Sequence, residues 1–342
     1  MSDLSPRKEQ ILRAVIVEYI STADPVASDV ITSKYELGVK SATVRNELAE
    51  ITDLGLLEQP HTSAGRIPSD RGYRYFVNHL LTARPLTPET KGQIRTAADE
   101  EDTLRDMLAE TTKLLSRMTH QFTAAATVKD ANVAVRHAVI TALGPDRAML
   151  VLVLGNGHVE NRIIPLPAGT TLEQVGETNE VIARAIAEKN LGQIGKIKLP
   201  AGSHPRVDQL LSEAAQLLRA ISKDLTKGHL ITEGEEYILA QPEFRRDVAA
   251  LESLFRSLED EDAIRNAVVG DRTATDGITI GRENNSEQLH PLTLARRVFY
   301  VGNTEAGTIA IIGPTRMDYE RGVSLLDFTA KAVSQTLTRL FG

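Results

Sequence analysis

The chain has 342 residues, 42% of them hydrophobic and 25% charged, a balance that fits two or three soluble globular domains and excludes disordered and fibrous classes. It contains no cysteine, which removes disulfides, thiolate nucleophiles, cysteine-ligated zinc and iron–sulfur clusters together. A net charge of −7 argues against indiscriminate binding to nucleic acid but allows a local basic face.

From Ser5 to Ile20 two adjacent apolar rows, Ile11, Val15, Tyr19 and Leu12, Ile16, Ile20, predict an amphipathic helix, with Ser5 as cap and Pro6 in the first turn. A shorter helix is expected from Ser28 to Lys34, then a turn at Gly38. Ser41 suits a cap for a third helix whose inner face is Val44, Leu48 and Ile51 and which Gly55 closes. A short strand and the loop HTSAGRIPSDRGYRY (61–75) follow, an order that is the winged helix-turn-helix plan. TARPLTPET (82–90) reads as a linker, and a helical stretch is expected from about Glu89 to Thr123.

Two strand-like runs, VRHAVITALG and RAMLVLVLG, flank Gly144-Pro145-Asp146, and VENRIIPLP adds a third. The pattern turns helical from about Thr170 to Lys227. Strand signals return in HLITEGEEYIL, GITIGRE, ARRVFYVGN and GTIAIIGP, before a terminal helix, SLLDFTAKAVSQTLTRLF. A helical block bracketed by strands of one sheet suggests an insertion into an α+β domain, with consecutive domains as the alternative.

On the third helix the period of 3.6 turns Ala42, Asn46 and Ala49 outward, flanked by Thr43, Arg45 and Glu50. Small residues let a helix approach a major groove, where Arg can read guanine and Asn adenine. Lys40, Ser41 and Thr43 sit at the helix start, where phosphates bind. In the loop, His61, Thr62 and Ser63 offer hydrogen bonds, Gly65 permits close approach and Arg66 supplies charge. The bland alternative is a solvated helix face with Arg71 and Arg74 as solvated charges at the start of the next helix. Residues 1–84 carry ten Lys/Arg against eleven Asp/Glu, so any DNA binding rests on these few positions.

The segment SATVRNELAEITDLGLLEQPHTSAGRIPSDRGYRYFV (41–77) resembles the signature of HrcA, the bacterial heat-inducible transcription repressors. ITIGREN (278–284) and IGPTRMDY (312–319) resemble that family's C-terminal motifs. Two departures are Thr52-Asp53, in place of a more uniformly helical run, and Arg282, where the family often has an acid. The resemblance implies an α+β, multidomain fold: a winged helix-turn-helix DNA-binding domain at 1–85, a GAF-like domain at 86–168 and 229–342, and an inserted dimerising domain at 169–228. It also implies a homodimer on double-stranded DNA, at the inverted repeat called CIRCE, and upkeep of the active form by the GroEL chaperonin. The inserted block carries Val181, Ile182, Ile186, Leu210, Leu211, Leu217 and Leu218, which serve either the dimer surface or the packing of their own domain.

No enzyme is expected, because HExxH, GxSxG, a phosphate loop and metal-spaced clusters are all missing from the sequence. His137, His158, His204 and His290 are isolated in sequence, so neither a cofactor nor a metal is expected. The rival reading is a small-molecule-gated regulator, with Arg136, Arg162 or Tyr300 lining a pocket. AMLVLVLG (148–155) is far shorter than the roughly 20 residues of a membrane span, and MSDLSPRKEQ lacks the order of a signal peptide. The expected location is the cytoplasm, without a membrane partner.

Overall fold

The computed structural model describes residues 4–62, 64–99, 103–127, 131–226, 228–243, 260–270 and 277–341. Helix α1 (Pro6–Thr22) starts where Ser5 accepts from the Lys8 amide, α2 spans Ser28–Lys34 and α3 spans Ser41–Asp53. Gly38 and Gly55 have φ of 66° and 73°, so the two predicted turns use the left-handed freedom of glycine. Lys40, not Ser41, is the N-cap of α3, because Ser41 is already helical and its hydroxyl donates to Asp29 at 2.5 Å. Strands β1 (Leu57–Glu58) and β2 (Ile67–Pro68) pair antiparallel, and α4 (Asp70–Tyr75) runs into a π-helical turn, Phe76–Leu80.

The single helical stretch expected from Glu89 to Thr123 is instead α5 (Pro88–Asp99), α6 (Leu104–Thr119) and strand β3 (Phe122–Thr127). The sequence FTAAAT is rich in alanine, which suggests a helix, but β3 lies in the interior of a sheet and is buried on both faces. Such a strand shows no polar alternation. Its residues divide at a period of two: Ala125 joins one core, and Phe122, Ala124 and Ala126 join another.

Five antiparallel strands form the main sheet. Their order is β7 (Leu230–Glu233), β3, β10 (Thr304–Pro314), β9 (Leu292–Val301) and β8 (Ile278–Ile280). One face packs on α6 and the terminal helix Tyr319–Phe341, and α5 lies against these two helices. The other face packs on short helices at Glu235–Leu239 and Glu261–Val269. HLITEGEEYIL is therefore strand only as far as Glu233: Gly234, at φ 86°, turns the chain into a helix.

The three strand-like runs at 135–165 do not enter that sheet. They form a separate antiparallel sheet of β4 (Val135–Ala142), β5 (Arg147–Leu154) and β6 (Val159–Pro165). Helices α7 (Leu172–Ile186), α8 (Leu191–Ile194) and α9 (Pro205–Leu225) cover one side of it, and a single apolar core runs from Val135 to Leu225. The expected boundary between 168 and 169 falls inside this core. The physical reason is that, among the described residues, these helices supply the apolar cover for the inner faces of β4 to β6. Ile182, Ile186, Leu210, Leu211 and Leu218 are buried within the same core, so packing at home occupies most of the apolar row expected either there or on a dimer surface.

The N-terminal helices share a core with the main sheet, and Tyr319 is its pivot. Its ring lies 5.7 Å from that of Tyr73 and 6.3 Å from that of Phe76, and its hydroxyl contacts the Thr315 carbonyl at 2.5 Å and the Thr293 hydroxyl at 2.9 Å. Complete burial pushes this phenol far above its usual pKa range, so it remains a donor. Removing the hydroxyl leaves buried partners without it. Tyr319→Phe is expected to cost about 1–3 kcal/mol in chemical denaturation, and Tyr319→Ala about 3–5 kcal/mol.

Candidate nucleic-acid interface

The α1–α3 unit is braced from within, which leaves one face of α3 unused. Val44, Leu48 and Ile51 are buried as the period predicts. Lys8 of α1 binds Glu47 at 2.9 Å and Glu50 at 2.8 Å, and these two carboxylates raise its pKa. Glu18 accepts from Lys34 at 2.6 Å and from Tyr35 at 3.1 Å, tying the end of α2 to α1. Burial, and then that bond to Glu18, push Tyr35 up to about 12. Ser41 reaches Asp29 and Ser28, which fixes the α2–α3 turn. Its hydroxyl is engaged inside the fold.

Lys40, Ala42, Arg45, Asn46 and Ala49 are exposed, and Thr43 is half-buried. The face therefore offers a cation at the helix start, then two small residues beside an arginine and an asparagine.

The loop between β1 and β2 divides into a tip and a root. At the tip His61 and Thr62 are exposed, and Gln59 donates to the carbonyls of Thr62 and Ala64, each at 3.0 Å. Ser63 lies outside the described residues. At the root, the backbones of Arg66 and Val26 exchange hydrogen bonds of 2.9 and 2.8 Å. A Cβ on Gly65 would stand 2.4 Å from the Val26 carbonyl, so the close approach that this glycine permits is to the α1–α2 connection. The Arg66 side chain is half-buried and donates to the Thr52 hydroxyl at 3.0 Å. Thr52, one of the two departures from the family pattern, thus holds an arginine of the loop.

Arg74 is not a solvated charge. It donates twice to Glu283, at 2.8 and 2.5 Å, and to the Ile278 carbonyl at 2.6 Å. Asp70 accepts from the Arg282 amide at 3.0 Å, and Gly281 (φ 58°) has no room for a Cβ beside the Asp70 carboxylate. Arg13 reaches Glu320 and the Leu80 carbonyl, and Arg316 reaches Glu243 and the Ile20 carbonyl. The motifs around 41–77, 278–284 and 312–319 meet at this joint. Their opposed charges were visible in the sequence, but their pairing needs the fold.

The candidate pocket residues do not converge. Arg136 and Arg162 lie on the three-stranded sheet, and Tyr300 is exposed on β9. His158, isolated in sequence, meets Glu160 and His229 in space.

Residues 105–323 match the HrcA protein C terminal domain. The heat-inducible transcription repressor HrcA of Symbiobacterium thermophilum is 35% identical over 343 residues, covering 99% of this chain and all of that one. Its counterpart in Moorella thermoacetica is 34% identical, with 99% of each chain covered. The crystal structure of a hypothetical protein shares the fold, with a TM-score of 0.68 and 20% identity across 98% of each chain. Similarity along the full length places the protein in the class of transcription repressors. The chain belongs to the HrcA family, the heat-inducible repressors. Among the described residues no helix is long and apolar enough to cross a membrane.

The Arg74–Glu283 pair is bidentate and only partly exposed. Arg74→Met and Glu283→Gln are each expected to destabilise the joint, and the double variant to lose less than the sum. A coupling on the order of 1 kcal/mol should appear in a denaturation cycle.

Proposed function

We propose that the protein represses heat-shock chaperone operons by binding, as a homodimer, to the CIRCE inverted repeat in double-stranded DNA. In this reading residues 1–85 act as a winged helix-turn-helix domain, α3 enters the major groove and the β1–β2 loop is the wing. Arg45 and Asn46 contact bases, with Ala42 allowing close approach. Lys40, Thr43, His61, Thr62 and Ser63 serve the phosphates, Ser41 does so through its backbone amide at the start of α3, and Gly65 and Arg66 hold the wing root and its charge. The carrying observation is the exposed outer face of α3 beside a braced loop in a member of a repressor family.

An inverted repeat calls for a two-fold protein, and linking two half-sites multiplies modest affinities. We assign the pairing to the inserted unit, whose three-stranded sheet is covered by its helices on one side. On the other side Val139 is 41% and Ile163 is 64% exposed. The five-stranded sheet and its helices take the GAF-like role. GroEL dependence follows if the active population is limited by folding. The absence of tryptophan and an aromatic content of 4% favour modest stability. The site of action is the cytoplasm, and no catalysis is involved. The small-molecule alternative is weakened by the separation of Arg136 and Arg162 from Tyr300.

Binding to a CIRCE duplex and to a scrambled duplex across a salt series tests the reading. Operator-selective binding is expected, with losses of about 1–3 kcal/mol for Arg45→Ala or Asn46→Ala. For Lys40→Ala the salt slope should fall by about one. Equal, weak binding of both duplexes, even with GroEL and ATP, would sink the operator assignment. In a companion assay, refolding with GroEL and ATP should raise the fraction of repressor competent to bind; an unchanged fraction would remove the chaperonin from the scheme.

A further inference from the structure

Where the inserted unit meets the five-stranded sheet, two histidines and a glutamate stand together. His158 and Glu160 come from β6 and the turn before it; His229 lies on the short segment that leads into β7. Three observations set the cluster apart from an ordinary hydrogen-bonded group. The candidate ligand atoms of all three side chains lie within 4.8 Å of one another. The two imidazoles stack, with centroids 4.8 Å apart at an angle of 27°. The His229 Nε2 is buried with no hydrogen-bond partner, whereas His158 Nε2 contacts Glu160 Oε2 at 3.1 Å.

From this geometry we infer that His158, Glu160 and His229 bind a divalent transition-metal ion, zinc foremost, which clips the inserted unit to the main sheet.

The chemistry of the donors suits this ion. Two imidazoles and one carboxylate are a known set for zinc with a fourth position open to water. Ligands about 2.0–2.2 Å from a tetrahedral ion are about 3.4 Å apart; the His158–Glu160 pair already stands at 3.1 Å, and the widest separation must close by no more than about 1.4 Å. The His229 Nε2 has no hydrogen-bond partner, so no protein group has to be displaced from it. Glu160 is fixed by His158, whose Nε2 lies 3.1 Å from its Oε2. Arg162 takes the other oxygen, Oε1, leaving Oε2 toward the histidines and orienting the carboxylate as an outer partner.

The surroundings limit affinity and so point to an exchangeable ion. Arg105 and Arg265 also face His229, and Arg265 is anchored to the Gly228 carbonyl at 2.8 Å. Leu104, Val133, Leu154, Leu191 and Leu225 close around the cluster and restrict water. An ion there would add a link between the inserted unit and the main sheet beside the contacts these side chains already make, and would stabilise the folded chain by mass action.

The test uses the full-length, tag-free chain after chelator treatment. Zn²⁺ alone is titrated by calorimetry, and Co²⁺ is followed by its visible absorption. The expected result is one equivalent per chain, intense tetrahedral Co²⁺ bands and a Tm that rises with Zn²⁺. His158→Gln, Glu160→Gln and His229→Gln should each weaken binding by at least about tenfold, while His204→Gln should not. Glu160→Asp keeps the charge and should shift the Co²⁺ bands even if another variant folds poorly. Absence of stoichiometric binding, or binding that survives in folded His229→Gln, overturns the assignment. Operator binding is not a readout, so this result and the DNA assay fail independently.

Discussion

The packing of Tyr319 against Tyr73 and Phe76 governs the arrangement of this protein. A helical unit that presents a face to a partner must be held at a defined angle, and here the holding group is a fully buried ring at the start of the terminal helix. Burying such a ring contributes on the order of 1.5–3 kcal/mol. Because the hydroxyl is also bound to Thr315 and Thr293, the ring cannot slide without losing polar contacts as well. The charged contacts of Arg74, Asp70, Arg13 and Arg316 surround this apolar pivot. They add direction more than energy, since most are partly exposed.

Seen from that joint, the motifs divide their labour differently from their order in the chain. The stretch 41–77 contains both an outward face, with Arg45 and Asn46, and an inward anchor, with Tyr73 and Phe76. ITIGREN and IGPTRMDY are the seats for that anchor. Gly65 and Arg66 illustrate the same economy, for they build the loop root while the exposed tip is left to His61 and Thr62.

Much of the head was legible because its signals are local. The periodicity of α1 and α3, the glycines at 38 and 55, and Pro6 each act within a few residues of the structure they specify. The candidate face was legible for the same reason, since the inner positions of α3 fix the outer ones. What was hidden depended on distant partners. FTAAAT becomes a strand because β10 and β7 flank it, and the runs at 135–165 form their own sheet because α7 and α9 cover them. His229 joins His158 and Glu160 only through the fold. No spacing rule reaches from 158 to 229.

The position of β3 carries a kinetic consequence. Its two neighbours in the sheet lie at 230–233 and 304–314, so this strand has no partner nearby in sequence. Contact order is high for such pairings, and loop closure must be completed before they yield any stabilisation. Until the inserted unit has collapsed and the last strands have arrived, Phe122–Thr127 is an apolar segment with open edges. Chains in that state associate readily with other nonnative surfaces. The length of chain that separates β3 from its partners, 103 residues to β7 and 177 to β10, therefore sets the order in which this sheet can close.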